Sequence, residues 1–293
     1  MIELVDLRYV HLGSADAAAT SNWAQEIYGL EEVSRENGRI YLRGDDRDHN
    51  ICYFDGDPKD NTVGLEVSDY KALDGAASHL EANGVKVTWG DDEGAASRRC
   101  MKYLTFSDPT GNAFDLVVRP FASGRRYFPG RDAGVYWFNH IGLKTTDARR
   151  DEKFWCGLFN IRSNDWIGDA PLMSFDEVHH RFALFPTNEA GVQHINFQVR
   201  ETDDLMRSSY FFEERQVRVV FGPGRHATSG ATFLYFEGPD GMVYEYSSGV
   251  RMIKPGDNWR PRQFPFTTDS FCIWGSKPDI PEFETGEGSN VQN

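Results

Sequence analysis

Tyr136-Trp137-Phe138-Asn139-His140-Ile141-Gly142-Leu143 is an apolar, β-prone run with one imidazole set into it. A second such run, Val192-Gln193-His194-Ile195-Asn196-Phe197-Gln198-Val199, carries His194. A third, Met242-Val243-Tyr244-Glu245-Tyr246, follows a Pro-Asp-Gly turn and carries Glu245. Side chains alternate across a strand, so each run points its polar residue to one side. Any one of these histidines alone reads as a satisfied core residue. Three strands that each offer a ligand to a common side read as a site.

The chain repeats itself about 130 residues on, which is the first thing to look for in a long sequence. Val10-His11-Leu12-Gly13 resembles Asn139-His140-Ile141-Gly142, and Asp108-Pro109-Thr110-Gly111 through Asp115 resembles Gly238-Pro239-Asp240-Gly241 through Glu245. Val63-Gly64-Leu65-Glu66-Val67 matches Ile195-Asn196-Phe197-Gln198-Val199, which puts Thr62 opposite His194. The first copy then offers His11, Thr62 and Asp115, a set without its central imidazole, and metal binding is expected only in the second copy.

Each copy is doubled again. Helical stretches at Ala17 to Tyr28, Tyr70 to Asn83, Asp147 to Leu158 and Thr202 to Arg215 each follow a strand and precede several short ones. Turn residues such as Asn37-Gly38 and Asn83-Gly84 close the elements. The fold class is therefore α+β: two tandem modules, each a pair of βαβββ units whose sheet curves into an open barrel around a cavity. The expected division is an N-terminal module without metal at 1–128, a metal-binding catalytic module at 134–250, and a C-terminal tail at 251–293. A Gly/Pro/Arg linker near Ser123 to Gly130 separates the modules. The proline-rich tail should be mostly irregular and wrap the second module, with about the last 10 residues disordered.

A length of 293 residues supplies two cores, and 40% hydrophobic with 14% aromatic content indicates a globular chain. A net charge of −14 argues against nucleic-acid and anionic-membrane partners. Cys52, Cys100, Cys156 and Cys272 are far apart and form no redox or metal motif, so they read as reduced thiols of a cytoplasmic protein. No apolar run reaches membrane-spanning length and no signal peptide is visible.

Two imidazoles and one carboxylate suit a non-haem Fe(II) with positions left open for substrate and oxygen; Mn(II) takes similar ligands. With these residues the sequence, from residue 1 to about 270, resembles the type I extradiol ring-cleaving dioxygenases of the vicinal oxygen chelate superfamily. The resemblance implies His140, His194 and Glu245 as metal ligands. It extends by context to His180 in Val178-His179-His180-Arg181-Phe182, His226 in Gly224-Arg225-His226-Ala227-Thr228, and Tyr235 in Thr232-Phe233-Leu234-Tyr235-Phe236. Gln193 departs from the pattern, since many relatives carry another histidine there.

The resemblance further implies meta cleavage of a catechol by O2 in aromatic degradation, by a homo-oligomer. His180 would stabilise or protonate an oxygen-derived intermediate, while His226 and Tyr235 would hydrogen-bond the substrate oxygens. His179, next to His180 on an apparent strand, reads as structural and turned to the other face. His11, His49 and His79 read as packing or surface residues. Pocket lining is expected from Trp155, Leu172, Met173 and Phe185, with the tail around Phe264-Pro265-Phe266 closing the mouth. An apolar lining favours a neutral ring, with Arg181 or Arg225 as the route to a carboxylated one. The competing readings are a glyoxalase-type isomerase or lyase, which should keep ligands in both modules, and a metal-free small-molecule binding protein.

Overall fold

A computed structural model describes residues 1–284. The first sheet has eight strands: β1 (Leu4–Ser14), β2 (Glu31–Glu36), β3 (Arg39–Arg43), β4 (Ile51–Asp55), β5 (Asn61–Val67), β6 (Thr88–Trp89), β7 (Cys100–Ser107) and β8 (Ala113–Pro120). Their order is β2-β3-β4-β1-β5-β8-β7-β6, with β2 and β6 as unjoined edges. The second sheet contains β9 (Val135–Thr145), β10 (Arg162–Ile167), β11 (Ala170–Ser174), β12 (Phe182–Pro186), β13 (Gly191–Val199), β14 (Val219–Arg225), β15 (Thr232–Glu237), β16 (Val243–Ser248) and β17 (Arg262–Phe264). Its order is β14-β15-β16-β13-β9-β12-β11-β10-β17. Read from β10, this is the first sheet's order repeated strand for strand, with β17 added at the edge. Each sheet is thus two βαβββ units joined through their first strands.

The helices follow the expected pattern. Helices α1 (Ala17–Trp23), α2 (Tyr70–Ala82), α4 (Ala148–Leu158) and α5 (Thr202–Glu214) are one per unit, and α3 (Asp92–Ser97) and α6 (Thr268–Phe271) are short additions. A π-helical turn, Ala24–Tyr28, continues α1. Every unit starts its helix with an acidic residue. Asp16, Asp69 and Asp147 accept from the backbone N–H three residues on, and Glu201 forms a reciprocal box with Asp204. Such a cap satisfies donors the helix leaves free and is worth about 1 kcal/mol.

One apolar core runs through both modules. Trp155 of α4 packs edge-on against Phe114 of β8 at 4.7 Å between ring centroids, and Tyr53 and Tyr244 join hydroxyls at 2.7 Å. The Tyr28 hydroxyl donates to the Ile195 carbonyl at 3.0 Å, so the first module braces the strand that carries His194. A smaller cluster, including Leu172, Phe185, Phe221, Phe233, Phe271 and Phe283, lies within the second module. The tail is mostly irregular, as expected, with one short strand: Arg262 to Phe264 pairs in parallel with β10, and Phe271 and Phe283 are buried against the second module. The expectation of disorder in the closing residues falls outside the described ones. Among the described residues no helix is long and apolar enough to cross a membrane.

Candidate metal centre and active site

Strand register assembles the centre. His140 on β9 pairs with Asn196 on β13, and Asn196 pairs in turn with Glu245 on β16, so His140 and Glu245 flank one rung. His194 lies two residues back on β13, on the same face. It faces Gly142, where an added Cβ would run into the His194 ring. That glycine makes room for the imidazole. The three residues are buried, and their ligand atoms all lie within 4.8 Å of one another.

The hydrogen bonds decide what this cluster can hold. His140 Nδ1 donates to Asn139 Oδ1 at 2.9 Å, and His194 Nδ1 donates to Gln193 Oε1. Both imidazoles are thereby left with a bare Nε2. These two nitrogens face each other at 3.1 Å, and Glu245 Oε2 lies 2.9 Å from the first and 3.5 Å from the second. Oε2 is fully buried without a hydrogen-bond partner. Three lone-pair donors at one point, each nitrogen oriented by a neighbouring amide, repel one another unless a cation sits among them. The residues therefore fit a divalent metal bound by two imidazoles and a carboxylate. Burial drives His194 down to about 3, against the pull of Glu245, so its imidazole is neutral.

The other three expected residues stand around this point. His180 lies against His140 at 4.2 Å between ring centroids. His226 donates from Nδ1 to the Phe271 carbonyl at 2.9 Å, and its Nε2 lies 3.4 Å from Glu245 Oε1. The Tyr235 hydroxyl reaches His226 Nε2 at 3.4 Å; burial, then the Glu245 charge, pushes that phenol well up, so it stays protonated as a donor. All three line a cavity with His194, Ile167, Leu172, Ala183, Phe185, Thr228, Phe271 and Phe283. Among the described residues, no Lys or Arg is in that lining.

Several expectations need correction. Trp155 and Met173 are turned into the core shared by the modules, away from the cavity, because α4 packs its Trp155 face on β8 and β12. Phe266 is partly exposed, and Phe271 and Phe283 take the closing role given to it. Arg181 is buried on the far side, bonded to Asp176 and the Asn139 carbonyl, and Arg225 is exposed, so neither reaches the cavity. His179 and His180 lie in a bend before β12 rather than on a strand, so alternation does not separate them; their Nδ1 atoms meet at 3.1 Å. Asn139, Phe271, Phe283 and Asp165 were not expected. A side-chain amide immediately before each ligand histidine was the available signal for Asn139 and Gln193; the tail aromatics carry no periodicity.

The first module also differs from its reading. In β1, Tyr9 pairs with Gly64, which pairs with Asp115, so Tyr9 stands where His140 stands and His11 where Gly142 does. The motif match was out by two residues.

Residues 137–246 match the family model described as the Glyoxalase/Bleomycin resistance protein/Dioxygenase superfamily. Along its length the chain is 28% identical over 271 residues to 1,2-dihydroxynaphthalene dioxygenase of Sphingobium xenophagum, covering 86% of this chain and 90% of that one. In fold it is similar to BphC, a halotolerant catechol dioxygenase, with a TM-score of 0.86, 22% identity and coverage of 97% and 98%. A Mn(II)-bound glyoxalase from Novosphingobium aromaticivorans shares the fold as well, at a TM-score of 0.85, 23% identity and coverage of 97% and 94%. That family match falls on the module that carries His140, His194 and Glu245. The relatives that it resembles along most of its length are named as dioxygenases, among them an iron-dependent extradiol dioxygenase of Rhodococcus jostii at 23% identity, covering 92% of this chain and 95% of that one.

Proposed function

We propose that this protein cleaves a catecholic ring beside its two hydroxyls, using O2 at a single Fe(II) held by His140, His194 and Glu245. The observation that carries this reading is a buried cluster of bare acceptors opening into an apolar cavity that also presents His180, His226 and Tyr235. Bound there, Fe(II) supplies the open positions and electron exchange through which triplet O2 reacts with a closed-shell catecholate. Glu245 balances part of the metal charge, which suits a catecholate as the partner. The bare Nε2 of His180 accepts a proton from a substrate hydroxyl and returns it as the ring opens. Tyr235 and His226 hydrogen-bond the second oxygen, and Phe185, Phe271 and Phe283 exclude water. The product is a ring-opened acid of the muconic semialdehyde type.

Residues 134–250 carry this chemistry in our reading; 1–128 brace it and support a homo-oligomer in the cytoplasm, where the four free cysteines stay reduced. An isomerase would draw ligands from both modules, and the donors around Asp115 do not favour that.

The test is to supply catechols in air: a yellow product should form, vanish with a ferrous chelator, and return with Fe(II) and reductant but not with Mn(II). Absence of product from every catechol after reconstitution would sink the reading. Across a substrate panel, kcat/KM should favour methylcatechols and bicyclic catechols over dihydroxybenzoates by roughly 10²-fold, since a buried carboxylate finds no cationic partner here. A preference for dihydroxybenzoates would overturn the apolar-cavity argument alone.

A further inference from the structure

A line of buried polar side chains runs from the tail to the cavity. Asp165, on β10, is fully buried. Its Oδ1 accepts from the Arg262 backbone N–H at 2.8 Å and from Arg262 Nε at 3.1 Å. Its Oδ2 accepts from Arg262 Nη2 at 2.6 Å and from His179 Nε2 at 2.9 Å. Arg262 opens β17, and its Nη2 also donates to the Thr228 carbonyl at 2.6 Å.

Donor and acceptor roles along this line are forced. A carboxylate only accepts, so His179 must carry its proton on Nε2. Burial favours the neutral imidazole at His179 despite the opposing charge of Asp165. Its Nδ1 is then bare and lies 3.1 Å from His180 Nδ1, which must be the donor. His180 is left with a bare Nε2 at the opposite ring edge, and its ring lines the cavity. Nothing else among the described residues hydrogen-bonds either nitrogen of His180.

We infer that Asp165 and His179, clamped by Arg262 of the tail, are positioning residues that fix the His180 tautomer and present its Nε2 lone pair to the substrate hydroxyl. The inference rests on the catalytic reading of His180 above. It gives the tail strand a role beyond covering the cavity, since β17 delivers the guanidinium that holds Asp165 in place.

Asp165→Asn tests the tautomer directly. Arg262 claims the amide oxygen, so the amide N–H faces His179 Nε2 and reverses every donor along the line, moving the His180 proton to Nε2. On the Fe(II)-loaded full chain, oxygen uptake should show kcat down roughly 10²-fold, with KM and bound iron changed by less than about twofold. The same change placed on His180→Asn should cost less than about twofold more, because groups that act through one another are not additive. An undiminished cost in that background overturns the inference. His179→Phe keeps the ring beside Trp259 and leaves the Asp165–Arg262 pair intact, which guards against a folding defect. It should also lower kcat at unchanged KM, and full kcat in this variant overturns the inference. If His180→Asn alone keeps full kcat, the catalytic reading of His180 falls, a different result from failure of the relay.

Discussion

The two sheets share one strand order, yet one builds a cluster of bare acceptors and the other an ion pair. In the first module, Asp115 Oδ2 accepts from the Tyr9 hydroxyl at 2.9 Å and from Arg98 Nε at 2.7 Å. In the second, Glu245 stands on the equivalent rung beside two nitrogens that cannot donate. Both carboxylates are fully buried. Burial alone therefore does not make a metal site; a buried carboxylate among donors is already neutralised, whereas one among lone pairs requires a cation. Glycine placement follows the same logic. Gly64 makes room for the Tyr9 ring and Gly142 for the His194 ring.

The largest expected effect is on the metal itself. His140→Ala should abolish metal retention and ring cleavage while both sheets stay folded, and elemental analysis is the check. Full metal in that variant breaks the contrast between the modules. Gly142→Ala is the next step down. Its Cβ displaces His194 without removing a ligand, so the metal Kd should rise roughly 10–100-fold, as when an orienting neighbour is lost. Unchanged affinity by competition with a chelator would show that the glycine is not what seats His194. The smallest effect on activity belongs to Arg98→Ala. It strands the Asp115 charge and should cost about 3 kcal/mol, lowering Tm by roughly 6–12 °C. Steady-state kcat/KM should move by less than about twofold, since the site in the other module is independent. A large loss of activity would mean that the modules are coupled more tightly than their shared core implies.

Much of this was legible in the sequence. The duplication, the four helices and the convergence of His140, His194 and Glu245 follow from periodicity and motif order. The mismatch of His11 with His140 shows where that reading fails. A slip of two residues along a strand keeps every side chain on its own face, so alternation cannot expose it, and only the pairing with Gly64 and Asp115 does. Trp155 was misplaced for a related reason: helical periodicity marks a buried face but not which of two neighbouring cores receives it. His179 was misread because Val178 to Arg181 form a bend where a strand pattern seemed to continue. Phe271 and Phe283 were illegible as lining because the tail around them has no regular period.

The tail also imposes an order on assembly. All three ligands are in place by Glu245, whereas Arg262, Phe271 and Phe283 emerge only afterwards. At ribosomal rates of about 5–20 residues per second, the cavity stays without its aromatic cover for roughly 2–8 s after its last ligand has been made. Completion of the ligand set and closure by the tail are therefore separate events.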